Sequence, residues 1–237
     1  MYKSIMVPLD GSPFSEEALP TAIRLARGSG ARLLLARVVD RSVPSILLSS
    51  PLADQSWAES PVDHATDYLE DVAARILAST GVSTEIAVLR GGVASSLRAE
   101  AARAQCDLIV MSTHAHGVVG RVFQSSVADR LARSVACPVL LIRAHGIAFD
   151  WSIHRRFLHV LVPLDGTTAA ESALSAAVEI ANIDDARLTL MHVAQPQLVG
   201  AHMSAAPFSP TYSPDGIEPE DTERMSRKYL DSIAASL

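Results

Sequence analysis

The chain changes hydrophobic period several times in its first hundred and forty residues. Ile5–Leu9 is an unbroken apolar run closed by Asp10-Gly11-Ser12, the pattern of a buried strand running into a turn. Glu16–Arg27 then places Ala18, Leu19, Ala22, Ile23, Leu25 and Ala26 on one helical face, and Arg32–Val39 is strand-like again. The Pro- and Ser-rich stretch Asp40–Pro61 reads as a loop. Beyond it the spacing predicts a helix over Asp63–Ser79, a strand over Thr84–Leu89 and a helix over Val93–Gln105. A strand over Leu108–Ser112, a helix over Ser126–Ser134 and a strand over Val139–Arg143 complete the series. Strands alternating with helices imply parallel pairing with helices on both faces. The expected fold is α/β: an open, doubly wound, Rossmann-like parallel sheet of five strands, with ligands held at the carboxyl ends of the strands.

The pattern then restarts. Ile5-Met-Val-Pro-Leu-Asp10-Gly-Ser12 returns as Val160-Leu-Val-Pro-Leu-Asp165-Gly-Thr167, an offset of 155 that holds without a gap to Val38 and Val193. About 15 of 35 aligned positions are identical, which marks a duplicated unit. The reading is a complete domain over residues 1–143, a linker over 144–156 and a second copy over 157–237. The second copy has a strand at Leu158–Leu164, a helix at Ala169–Asn182, a strand at Ala186–Val193, a long loop over about 196–218 and a helix at Pro219–Ala235. At the 155 offset Leu237 aligns with Val82, so this copy holds only the first half of the domain. Either a shortened tandem protein or a fragment of a longer one fits that length.

Composition narrows the functions. The chain is 49% hydrophobic and 19% charged, with a net charge of −6. That supports a packed core and gives no basic footprint for nucleic acid or an anionic membrane. No apolar run approaches the ~20 residues of a membrane span, and the N-terminus lacks a signal-peptide core; a cytoplasmic location is expected. Cys106 and Cys137 flank apolar runs without a Cys-x-x-Cys, so they read as packed thiols.

Candidate chemistry gathers at strand ends. Asp10 and Asp165 close the first strand of each copy, where a carboxylate either caps the next helix or accepts a hydrogen bond from a ligand. The stretch Met111–Ala128 passes from a strand through small residues into a helix at Ser125–Ser126. It reads as an anion-binding turn or as an ordinary connection with a serine cap. His114 and His116 lack a nearby third metal ligand, and no nucleophile is paired with a base. No catalytic residue and no metal site are assigned, so a weak ATPase is the most enzymatic reading available.

These motifs resemble the universal stress protein family. Its marks are a first strand ending in Pro-x-Asp and a last βα loop of Gly-x2-Gly-x9-Gly-Ser/Thr. Here they read Pro8-Leu9-Asp10 and Ser112-x2-Ala115-x9-Ser125-Ser126, followed by Ala-Cys-Pro-Val-Leu-Leu-Ile-Arg at 136–143. The resemblance implies the fold of the adenine nucleotide alpha hydrolase-like group. It also implies an ATP-binding regulator of stress response that acts through nucleotide-dependent association, with an accompanying Mg2+. Pro8, Leu9, Asp10 and the backbone of Val38 would then hold ribose and adenine. Met111, Ser112, Ala115, Ser125, Ser126 and Val127 would line the ribose and phosphates. All three motif glycines are replaced, by Ser112, Ala115 and Ser125. The family also contains members without nucleotide, so a protein-interaction module is the alternative. Asp165 and Val193 match the adenosine half in the second copy, but no phosphate loop follows them, and poor binding is expected there. Family members commonly pair through the fifth strand, which implies a homodimer through Val139–Arg143.

Overall fold

A computed structural model describes residues 1–39, 61–114, 127–144, 156–193 and 219–237. The chain divides into two compact units, Met1–Arg156 and Phe157–Leu237.

Unit one contains five parallel strands: β1 (Ser4–Pro8), β2 (Arg32–Val39), β3 (Thr84–Arg90), β4 (Leu108–His114) and β5 (Val139–Ala144). Their spatial order is β3-β2-β1-β4-β5, the doubly wound arrangement expected from the alternating pattern. Its helices are α1 (Pro13–Glu16), α2 (Leu19–Ser29), α3 (Pro61–Thr80), α4 (Val93–Arg103) and α5 (Val127–Ala132). Alternation along the strands explains the two layers. Met6, Leu34, Ala36, Ile109 and Met111 cluster with Leu97 and Ala101 of α4 and Ala128 and Leu131 of α5. Ile5, Val7, Leu33 and Leu35 alternate with them and are fully buried, as are Leu19 and Ile23 of α2 and Leu69, Val72 and Ile76 of α3. Because both faces are covered, β1 and β2 read as continuous apolar runs rather than alternating ones. Cys106 and Cys137 join the α4–α5 side of the core, and burial pushes both thiols up, so they remain neutral packing groups.

Two expected helices are interrupted. The Glu16–Arg27 helix is α1 and α2 separated at Glu17–Ala18, where Ala18 N–H donates to the Ser15 carbonyl three residues back at 3.4 Å. Such bonds tighten the chain into a 3₁₀-like turn. The second copy breaks at the same place, Ala173 N–H donating to the Ala170 carbonyl at 3.2 Å. α4 stops two residues earlier than the periodicity predicts. Gln105 turns left-handed (φ 50°) and Cys106 N–H returns to the Ala101 carbonyl at 2.9 Å, a Schellman-type close. β4 runs two residues further, pairing Thr113 with Arg143 and His114 with Ala144. Of the expected loop Asp40–Pro61, residues 40–60 lie outside the described residues, as does the helix start at Ser126, while Pro61 already begins α3.

Unit two contains β6 (His159–Leu164), α6 (Thr168–Glu171), α7 (Leu174–Asp184), β7 (Arg187–His192) and α8 (Pro219–Ala234), with β6 and β7 parallel. Val162, Leu164 and Leu174 form its core with Tyr229, Leu230 and Ile233. Whereas Ser4–Val7 of β1 are all buried, β6 alternates along Val160–Leu164. β1 is flanked by β2 and β4, but among the described residues β6 pairs only with β7.

The repeat register needs one correction. Tyr229 of α8 donates its hydroxyl to Glu171 as Tyr68 of α3 does to Glu16. The helix therefore matches α3 at an offset of 161, six more than the strands. Leu237 corresponds to Ile76, not to Val82 as the ungapped alignment implied.

Ile109 is fully buried at the centre of the α4–α5 side. Ile109→Ala should cost about 2–5 kcal/mol, read as a lower urea midpoint with an unchanged slope. A loss below about 1 kcal/mol would contradict this packing.

Candidate functional site

The carboxyl ends of β2, β1 and β4 come out together because the three strands are parallel and adjacent. The register pairs Pro8 with Ala36 and Met6 with Ile109. Continued, it sets Asp10 level with Val38 on one side and Thr113 on the other. This is also where the winding reverses, β1 leading to helices on one face and β4 to a helix on the other, the usual crevice of such sheets.

The β1–β2 ladder closes with Leu9 N–H donating to the Ala36 carbonyl at 2.8 Å. Strand amides alternate sides, so the N–H and C=O of Val38 face the same way as those of Ala36. No described residue pairs with them across the end of β1. They form a donor and an acceptor at the strand edge, beside Asp10.

Asp10 begins a tight local network. Its Oδ1 accepts from Ser12 N–H at 2.8 Å, and its own N–H donates to Ser15 Oγ at 3.3 Å. Ser12 is the N-cap of α1, accepting from Ser15 N–H at 3.3 Å. Between them Gly11 has φ +88°, a conformation that disfavours any Cβ. The helix-cap role open to Asp10 on sequence alone is thus taken by Ser12, and Asp10 holds the turn instead. The residue is exposed at the strand end. Burial raises the Asp10 carboxyl, but bonds from Ser12 and Ser15 outweigh it and hold the group below the usual carboxylate range.

Of the other expected site residues, Leu9 and Met111 are buried, and Pro8, Ser112 and Val127 are half-buried. Val38 and Val127 pack against the α4–α5 core. Ser112 lies within β4 opposite Ile142 and is not among the left-handed residues, so replacing the motif glycine there introduces no backbone strain. Ala115, Ser125 and Ser126 lie outside the described residues. No cluster of three or more metal-ligating side chains occurs among the described residues.

Sequence reasoning missed a second group behind the turn. The Arg37 guanidinium carbon lies 5.0 Å from the Tyr68 ring centroid. Tyr68 donates its hydroxyl to Glu16 Oε1 at 2.9 Å, and Arg75 Nη2 reaches Glu16 Oε2 at 3.7 Å. Burial, then the Glu16 bond, push the Tyr68 phenol far up. The available signal was that Glu16 recurs as Glu171 and that a tyrosine recurs in the following helix.

A depressed carboxylate stabilises the fold above the ordinary value of about 3.9 and loses that contribution as pH falls through its folded value. Asp10→Asn keeps a carbonyl acceptor for Ser12 but cannot titrate. It should flatten the acid limb of thermal stability below about pH 4. Identical pH profiles for parent and variant would count against the network.

Comparison with known proteins follows the same lines. The sequence profile of the universal stress protein family matches residues 1–143 and 156–225. A universal stress protein of Thermus aquaticus is 33% identical over 144 residues, covering 60% of this chain and 100% of its own. A solved universal stress protein of Pseudomonas aeruginosa covers 99% of this chain and 70% of its own at 20% identity, with a TM-score of 0.60. Another, solved in complex with cAMP, covers 60% of this chain and 98% of its own at 21% identity, with a TM-score of 0.45. The profile spans both copies of the repeat, and the chain belongs to the universal stress protein family.

Proposed function

We propose that unit one binds an adenine nucleotide, ATP, and that occupancy regulates the protein's association. The observation that carries this reading is that Asp10 lies level with the N–H and C=O of Val38, which no described residue pairs with across the end of β1, beside the switch point of the sheet. An adenine edge offers a donor and acceptors in one plane, which Val38 complements through its backbone. The exposed Asp10 carboxylate suits a ribose hydroxyl or an amino group. Half-buried Pro8, with Leu9 and Met111 buried close by, would form the apolar floor below the base. Ser112, Ala115, Ser125, Ser126 and Val127 would receive ribose and phosphates through small side chains, hydroxyls and backbone N–H groups. Mg2+ would enter on the phosphates rather than in a protein cage. This is a binding and signalling role; no nucleophile–base pair is assigned, and catalysis is not proposed.

The alternative, an interaction module without nucleotide, draws on the loss of all three motif glycines. At Ser112 that loss adds no backbone strain, because the residue is an ordinary strand position. The question therefore rests on Ala115 and Ser125. Titration calorimetry with ATP decides it. Ala115→Gly should bind equally or more tightly, and Ser126→Ala should weaken binding by about 1 kcal/mol for one lost hydrogen bond. No heat from either the parent or Ala115→Gly would favour the interaction module.

Association is proposed through β5, whose Leu141 is 45% exposed. An apolar edge of this kind is usually covered, and a twofold antiparallel contact between two chains would do so. Leu141→Glu should convert a dimer to a monomer in light scattering. A parent that is monomeric at high concentration would refute this mode of pairing.

A further inference from the structure

The two copies share their ligand-side turn but differ behind it. In unit one, a Cβ placed on Gly11 would lie 3.1 Å from both terminal nitrogens of Arg37 and 3.2 Å from its guanidinium carbon. Near-equal distances to the three atoms put Gly11 over the guanidinium face rather than at its edge. The same guanidinium contacts the Tyr68 ring. Tyr68 in turn holds Glu16 on α1, and α1 is capped by Ser12, whose N–H binds Asp10. The turn is thus gripped from two sides: through α1 by way of Tyr68 and Glu16, and directly at Gly11 by Arg37.

Unit two repeats most of this. Asp165 Oδ1 accepts from Thr167 N–H at 2.9 Å, Gly166 has φ +81°, Thr167 caps α6, and Tyr229 donates to Glu171 at 2.8 Å. The residue matching Arg37 is His192. Its ring meets Tyr229 edge-on, centroids 5.6 Å apart, and nothing lies within 4 Å of a Cβ placed on Gly166. The shorter imidazole stays on the tyrosine and leaves the Cβ side of Gly166 open, where the Gly166 N–H is met instead by the Tyr229 hydroxyl.

We propose that Arg37 is a positioning residue for the unit-one site. Lying over the Tyr68 ring, it backs the Cβ side of Gly11 and so fixes the Asp10 carboxylate that faces the ligand; His192 leaves that side of Gly166 uncovered. The nucleotide half of this proposal rests on the function proposed above. The physical basis is preorganisation: a carboxylate already held in its bound orientation loses less freedom when ligand arrives. A planar guanidinium can cover a glycine and an aromatic ring at once, which an ammonium or an imidazole does less well.

Two measurements on the full chain separate the turn from the ligand. Hydrogen exchange without ligand, read at the Ser12 amide, reports the Asp10 bond directly. In Arg37→His it should quicken several-fold, while Ser126→Ala leaves it unchanged. Calorimetry should show ATP binding about tenfold weaker in Arg37→His, the size of one lost net hydrogen bond. Gly11→Ala should weaken binding more in the Arg37 background than in the Arg37→His background, because part of its penalty is contact with the guanidinium. In unit two, His192→Arg should slow exchange at the Thr167 amide. Unchanged Ser12 exchange in Arg37→His would overturn the backing of the turn, whatever happens to ATP. Faster exchange with unaltered ATP affinity would overturn the positioning role. A parent that binds no ATP, with Ser12 exchange still accelerated in Arg37→His, would sink the nucleotide reading and leave the backing of the turn standing.

Discussion

The site depends on where one backbone ladder stops. Leu9 N–H reaches the Ala36 carbonyl, and after that bond the first strand turns away at Gly11, whose φ of +88° no side chain tolerates well. β2 continues past that point to Val39. The mismatch in length leaves the Val38 amide and carbonyl at an edge where hydrogen-bonding groups remain to be used. An unmade bond to a buried peptide group costs about 1–3 kcal/mol, which is why such an edge must face solvent or a ligand. Parallel strand direction then brings β4 out at the same level, and the reversal of winding opens the crevice beside it.

The strands were legible because both faces of the sheet are covered. Continuous apolar runs such as Leu33–Ala36 admit few other readings when bounded by Gly30 and by Asp40. Helix interiors were legible by period, but not the breaks at Glu17–Ala18 and Ser172–Ala173, because the apolar face of Ala18, Leu19 and Ala22 continues through the break. The offset of α8 was hidden for a different reason. A gap in a loop leaves no mark on flanking strands that align without one, and the register appears only when Tyr229 is seen on Glu171. The site was half legible: Asp10 stands where the Pro-x-Asp pattern suggested, yet the division of labour between Asp10 and Ser12 is a matter of side-chain geometry. Arg37 left no sequence signal, since it differs from its counterpart His192 and points away from the α4–α5 core.

Replacement of a motif glycine is not one event repeated three times. The cost of a Cβ depends on the local φ and on what lies within reach of the added atom. Gly11 and Gly166 have nearly the same φ, yet one is crowded by Arg37 and the other is open. Ser112 lies in an extended strand and carries its side chain without strain. At Ser112, at least, a lost glycine carries no backbone penalty.

The second copy acts as an internal control on what the Asp-Gly-Ser/Thr turn means. Its bonds, Asp165 to Thr167 and Thr167 to Ala170, join residues only two or three apart. They form although β6, among the described residues, has a single strand neighbour where β1 has two. The turn is thus autonomous local structure, and its retention in both copies is explained by folding alone. What distinguishes unit one is non-local: β4 alongside β1, the level of Val38 and Thr113, and the guanidinium behind Gly11. The features that set unit one apart therefore belong to the sheet that brings the turn its neighbours, not to the turn's own three residues.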